Sequence, residues 1–327
     1  MIQSDPELTG IGALIIDEFH ERSLNAGLGL ALSLEIRDAL RPDLAIIVMS
    51  ATLDAAPVAA LVGAPVITSQ GRAYPVEPRW LDRPLRKEVR FDQAAADLVA
   101  QAVGETEGGV LVFLPGEGEI RRVQARLDGR LPKDCALRPL YGALPFKDQR
   151  AAIAPVDAGR KVVLATSIAE TSLTIEDIRV VVDCGQARRA RFDAGSGMSR
   201  LVTERVTRAE ATQRAGRAGR VAKGTAYKLW SKGEDGALAA FPPAEIEAAD
   251  LTGLALELAV WGSDDLAFLT APPDATLGEA RALLADLGAL SGTHITDHGR
   301  TLARLPLHPR LAHMLVTGGK GAAGLAA

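Results

Sequence analysis

At 327 residues, with 47% hydrophobic and 24% charged residues, the chain has the makeup of a globular protein with full cores and room for two or three domains, which excludes a disordered or fibrous polymer. Two cysteines, Cys135 and Cys184, lie far apart in apolar or strand-like surroundings; this argues against a disulfide framework or metal site and for a reducing cytosol. The net charge of −4 gives no sign of a nucleic-acid binder on average, and no apolar run or basic leader marks a membrane or secreted protein, so a soluble, cytoplasmic chain is expected.

That average conceals a segregation. Residues 186–228 carry eleven Lys/Arg against three Asp/Glu, whereas residues 234–290 carry one Arg against eleven acids. The first segment can attract phosphates while the whole stays acidic; alternatively the two segments neutralise one another.

In chain order, residues 11–16 form a short unbroken apolar run closed by Asp17-Glu18-Phe19-His20. Buried parallel strands read this way, and ligands gather at their carboxyl ends. Asp17 is therefore placed to hold Mg²⁺ and Glu18 to take a proton from an attacking water, although a DE pair at a strand end is also common surface charge. Residues 24–40 have apolar positions at helical spacing and stop at Arg41-Pro42. A second buried-type strand, 46–49, ends in Ser50-Ala51-Thr52, whose hydroxyls either couple a site to a moving part or cap the next helix, with Thr52 or Asp54 as cap.

Residues 65–84 are rich in Pro, Gly and Arg, with β-like pieces around Val66 and Val76, and read as a crossing between domains. A new α/β alternation then starts: helix 91–103, strand 110–114, the turn Pro115-Gly116, helix 117–127, a strand running to Tyr141-Gly142, helix 145–153 and strand 161–165. The hydroxyl run Thr166-Ser167-Ile168-Ala169-Glu170-Thr171-Ser172 follows directly. It suits a phosphodiester backbone bound without base readout, or simply a capped turn. After strand 179–183 comes a basic segment, 188–202, with Gly195-Ser196-Gly197 in its middle, which predicts a β-hairpin.

A helix from residue 207 carries the octet QRAGRAGR, residues 213–220. Two glycines there cost a helix roughly 1 kcal/mol each relative to alanine. Arg214, Arg217 and Arg220 are expected on one near-helical side, where bidentate forks suit polyphosphate oxygens and Gln213 can orient a water; the competing reading is a solvated basic face. Residues 225–230 read as a closing strand. Beyond Pro242-Pro243 the pattern turns helical, with Asp250 expected to cap helix 251–261, a second helix over 277–290, and β-like pieces around Gly299 within 294–305, which together suit a winged-helix module. His294, His298, His308 and His313 lack metal-ligand spacing.

The joint order of DEFH-ERS, SAT, FLPG, ATSIAETSLTIEDI and QRAGRAGR resembles the DEAH-box superfamily 2 ATP-dependent helicases, of the bacterial HrpB type. The resemblance implies an α/β fold: two RecA-like parallel-sheet domains, the first incomplete over 1–75 and the second over 76–235, then a mostly helical winged-helix module and the start of a helical domain over 236–327. It implies ATP and Mg²⁺ as cofactors, a monomer without structural metal, and single-stranded nucleic acid as partner, RNA before DNA. It further implies that Asp17 binds Mg²⁺, that Glu18 activates water, and that His20, Ser50 and Thr52 couple hydrolysis to movement. Glu176 is implied on the nucleotide, Gln213 on the water, and Arg217 and Arg220 as arginine fingers, with Arg214 in support. Gly116, Gly142, Thr166, Thr171, Ser172 and the hairpin arginines Arg188, Arg189 and Arg191 are implied in strand contact. The family's G-x-x-x-x-G-K-[ST] phosphate loop is absent: Gly159-Arg160-Lys161 and Gly318-Gly319-Lys320-Gly321 lack its spacing and hydroxyl, and the loop is expected upstream of Met1. Phe19 for alanine and Ser167 for asparagine are smaller departures.

Overall fold

A computed structural model describes the chain except residues 1, 4, 52–54, 70, 72, 157, 171–174, 194–196, 264, 323 and 325–327. The elements run β1 (Ala13–Ile16), α1 (Leu24–Ala39), β2 (Ala45–Val48), α2 (Ala55–Val62), β3 (Val76–Leu81), α3 (Phe91–Glu105), β4 (Gly109–Phe113), α4 (Glu117–Leu127), β5 (Cys135–Leu140), α5 (Phe146–Ile153) and β6 (Arg160–Ala165). They continue with β7 (Ile178–Asp183), β8 (Gln186–Asp193), β9 (Met198–Arg205), α6 (Arg208–Gly216), β10 (Gly224–Ser231), α7 (Lys232–Gly236), α8 (Glu245–Ala248), α9 (Thr252–Trp261), α10 (Asp274–Asp286), β11 (Leu290–Ser291), β12 (His294–Ile295), α11 (Asp297–Ala303) and α12 (Pro309–Gly318).

The chain divides into two compact units. One comprises Thr68–Arg189 and Leu201–Pro242, the other Met1–Ile67, Ala190–Arg200 and Pro243–Ala327. The first is built on a six-stranded sheet of order β3-β10-β7-β4-β6-β5, parallel throughout. Of its central strands β4 is buried along its whole length and β7 at all but Arg179, as the apolar runs predict, because helices cover both faces. Pro78 and Pro139 fall on β3 and β5, the two edges, where a missing N–H breaks no ladder. The cysteines are free thiols, and burial pushes the Cys184 thiol up from its ordinary range.

In the second unit β1 and β2 pair in parallel, Ile16 opposite Val48. Helix α1 is buried on two sides: Leu30 and Leu34 pack with Phe19, Val58 and Val62, while Ala31 and Leu32 pack with Leu254, Leu258 and Leu284 of the C-terminal helices. A helix enclosed on both sides carries apolar residues around most of its circumference, which explains the run LGLALSLEI.

Four expectations need correction. Gly299 lies in α11, not in a ribbon; the ribbon is β11 with β12, and Gly299 is small because a Cβ there would strike the carbonyl of Ala289. The second C-terminal helix spans Asp274–Asp286, with Gly288 taking a left-handed turn after it. Asp250 caps by proximity: Leu251 occupies the cap position, and the Asp250 carboxylate accepts from Thr252 N–H at 2.7 Å. Val66 forms no strand, whereas Val76 opens β3.

Candidate functional site

Three clusters of motif residues emerge, one in the unit of β1 and β2 and two in the unit of the six-stranded sheet. In the unit of β1 and β2, both strands end at the same level: Met49 N–H donates to Ile16 O at 2.8 Å and Phe19 N–H to Met49 O at 3.0 Å. The chain then turns sharply. Glu18 and Arg22 both adopt left-handed backbone (φ 51° and 52°) around a 3₁₀ turn, Phe19–Glu21. Such positions cost about 1–3 kcal/mol each for non-glycine residues and persist only where surroundings fix them. Asp17 contributes by accepting from Glu18 N–H at 2.7 Å.

His20 is buried and bridges two motifs. Its Nδ1 accepts from Ala51 N–H at 3.4 Å, so Nε2 carries the proton, 3.4 Å from a Glu18 carboxylate oxygen. The acidic turn and the Ser50-Ala51 segment are thereby linked by one imidazole. Ser50 is exposed, and Thr52 lies outside the described residues. Phe19, the departure from alanine, is buried against Leu30, Leu34, Val58 and Val62.

In the other unit the octet is not one uniform row. Helix α6, opened by a capping box of Thr207 and Glu210, stops at Gly216, and Arg217 continues in a 3₁₀ turn. Arg214 is fully buried: Nε donates to Glu170 and Nη1 to Asp183, each at 2.8 Å, Nη1 also reaches Gln186 O at 3.2 Å, and the guanidinium stacks over Phe113. Burial alone would lower this guanidinium, but Asp183 and Glu170 outweigh it and hold the group charged; burial pushes the Glu170 carboxyl up. Arg217 is also buried and donates to the Glu170 carbonyl, whereas Arg220 is exposed and Gln213 half-buried. The expected single side is therefore corrected: the helix ends between the first and second arginines. Of the two glycines, Gly219 has a backbone approach to accommodate, since a Cβ there would lie 2.5 Å from Tyr74 O, while Gly216 faces open space.

The same unit gathers a second set at the carboxyl ends of adjacent strands. Gly116 follows β4, Gly142 follows β5 and Thr166 follows β6, stitched by Leu114 N–H to Ala165 O at 2.8 Å and Thr166 N–H to Leu140 O at 3.1 Å. Thr166 opens a short 3₁₀ turn without its side chain capping it. Arg188 lies over Gly116, where a Cβ would come within 2.6 Å of the guanidinium carbon, and pairs with Glu119 at 3.3 Å. Arg189 is turned to Glu204 at 3.0 Å and to both oxygens of Glu210 at 2.6 Å. Arg191 is half-buried on β8. Thr171 and Ser172 lie outside the described residues, and Glu176 is exposed in the turn at the amino end of β7, away from the carboxyl-end group.

Sequence reasoning missed Glu170 and Asp183, 44 and 31 residues from the arginine they hold; an acid closing the apolar run of β7 was the available signal. It discarded Arg160 and Lys161 as a phosphate loop. Their cations are used internally: Arg160 donates to the carbonyls of Val103, Thr106 and Gly108, and Lys161 Nζ to those of Ile153 and Ala154, with burial lowering the Lys161 ammonium.

The profile of the helicase conserved C-terminal domain matches residues 94–222. ATP-dependent RNA helicase HrpB of Escherichia coli K12 is 51% identical over 322 residues, 97% of this chain and 40% of that protein. Its structure, described as a DEAH/RHA helicase, superposes at a TM-score of 0.91 with 50% identity, covering 98% of this chain and 41% of that one. Along nearly its whole length the chain is similar to DEAH-box superfamily 2 helicases. ATP-dependent RNA helicase HrpA of E. coli K12 is 36% identical over 96% of this chain and 25% of its own length, and the pre-mRNA-splicing factor ATP-dependent RNA helicase prp22 of Schizosaccharomyces pombe is 36% identical over 96% and 28%. The chain thus spans about 40% or less of the length of these relatives. The six-stranded parallel sheet is the RecA-like layer of this family.

Proposed function

We propose that this chain carries most of the hydrolytic and strand-contacting residues of an ATP-dependent helicase that moves along single-stranded RNA. The observation that supports the reading most is His20, whose Nε2 lies 3.4 Å from a Glu18 carboxylate oxygen while its Nδ1 accepts from Ala51 N–H. It gives the carboxylate a defined orientation and makes the Ser50 segment sensitive to what that carboxylate does. In the unit of the acidic turn Glu18 acts as the base for the attacking water, and in the other unit the exposed Arg220, with Gln213 and Arg217 of the same octet, offers donors suited to a nucleotide phosphate. Asp17 is a single carboxylate at a strand end. That donor set fits Mg²⁺, which keeps most of its waters and shares one or two carboxylates with nucleotide phosphates; the ion would neutralise charge on the phosphates. Gly142, Thr166 and Arg188 suit a phosphodiester backbone read by shape, because the first is an exposed glycine open to close approach, the second a hydroxyl and the third a cation, which lies over Gly116.

The test is magnesium-dependent ATP hydrolysis by the complete gene product with and without single-stranded RNA. Wild type is expected to be stimulated by RNA, and Glu18→Gln to lower kcat by about 10²–10⁴-fold; an unaffected Glu18→Gln would refute the assignment. The 327-residue chain by itself is expected to hydrolyse ATP slowly or not at all, because no stretch of it has the G-x-x-x-x-G-K-[ST] pattern. That same fact favours a second reading, a module that binds single strands without hydrolysis. Steep salt dependence of binding with no effect of nucleotide would select it.

A further inference from the structure

The strained turn that presents Glu18 needs an anchor on its far side, and the contacts of Arg22 identify one. Upstream, Glu18 and Phe19 are fixed by Asp17 and Met49. Downstream, Arg22 has left-handed backbone with its own N–H on Phe19 O, and its guanidinium and carbonyl are engaged by residues more than 200 positions away. Its guanidinium Nη2 donates to Thr270 Oγ1 at 2.6 Å, and its carbonyl accepts from Glu245 N–H at 3.2 Å. The Glu245 carboxylate in turn accepts from Leu24 N–H at 2.7 Å, at the first turn of α1, where Ser23 already caps Ala26 N–H at 3.2 Å. Leu269 packs against the cluster that buries Phe19, and Phe19, Leu24, Ala244, Ile246, Phe268 and Leu269 line a small cleft beside these bonds.

We infer that Glu245 and Thr270 are positioning residues for the Glu18 carboxylate, so that the C-terminal segment takes part in hydrolysis without touching the nucleotide. The physical reason is that a left-handed non-glycine turn relaxes when its restraints go. Relaxation at Arg22 propagates through three residues of 3₁₀ turn to Glu18 and His20. A base displaced by a fraction of an ångström loses its line to the water while nucleotide affinity, set elsewhere, is retained.

The inference rests on the reading of Glu18 as the base, and the experiment separates the two. In the complete gene product, Thr270→Val and Glu245→Ala are expected to lower the RNA-stimulated kcat about tenfold each, with KM for ATP changed by less than about twofold. Thr270→Ser and Glu245→Gln, which keep the accepting oxygens, are expected to restore most of it, and the Tm of all four to stay near that of wild type. Wild-type turnover with Thr270→Val indistinguishable from it would overturn this inference alone, as would a loss in kcat that tracks Tm and is not rescued by serine. Wild type without magnesium-dependent hydrolysis would remove the functional reading and this inference with it. Should Glu245→Ala fail to fold, the isosteric Thr270→Val carries the test.

Discussion

The acidic turn of one unit and the arginine octet of the other are both short signature motifs, but they are held by opposite means. The turn keeps Asp17 and Glu18 at the surface on a strained backbone, with a few hydrogen bonds and one buried imidazole to fix them. The octet sinks Arg214 and Arg217 into the core, where two carboxylates, a carbonyl and an aromatic face surround them, and leaves Arg220 outside. Regular spacing therefore does not imply equal duty: within one eight-residue motif the first arginine holds the fold and the last can serve chemistry.

Substitutions can break or sharpen that contrast. The largest effect is expected at Arg220: Arg220→Ala should lower kcat of the complete gene product about 10³-fold or more while leaving the denaturant midpoint unchanged. A loss of stability with normal turnover would reverse the assignment. Arg214→Ala should do the opposite in kind, destabilising the 327-residue chain by about 3–5 kcal/mol in a urea titration, because two carboxylates lose their partner inside the core. A change within the error of the titration would show that this cluster does not hold the sheet.

The glycines of the octet offer a finer test. Gly219→Ala should cost about 1–3 kcal/mol through the clash with Tyr74 O, whereas Gly216→Ala should gain about 0.5–1 kcal/mol because its site is open and helical. Equal effects would mean that backbone approach plays no part. A pH-dependent effect is expected in the unit of the acidic turn. Burial would raise the Asp250 carboxyl, but hydrogen bonds from His308 and Thr252 outweigh it and leave it at about 2. A depressed carboxyl contributes stability above its ordinary range of about 4 and loses it as pH falls through the folded value. The stability difference between wild type and Asp250→Asn should therefore be full above pH about 4 and vanish toward pH about 2.

Much of the fold was legible because its signals are local. Helix α4 falls on residues 117–127 as its spacing requires, and β4, β6 and β7 differ from the expected strands by one or two residues at their ends. Failures came where packing decides. Gly299 was read among β-like pieces and is a helical residue whose closeness to Ala289 leaves no room for a Cβ. The partners of Arg189, Glu204 and Glu210, were likewise set by packing and not by spacing.

What the sequence determined alone was the family, the alternation of strands and helices, and the chemical types at each strand end, since periodicity and motif order are properties of neighbours along the chain. Which arginine is buried, which carboxylates hold it, and that Glu245 and Thr270 brace a turn more than 200 residues earlier were decided only in three dimensions. The reason is that a charge's role depends on its partners and its access to water, and neither is written in the spacing that places it.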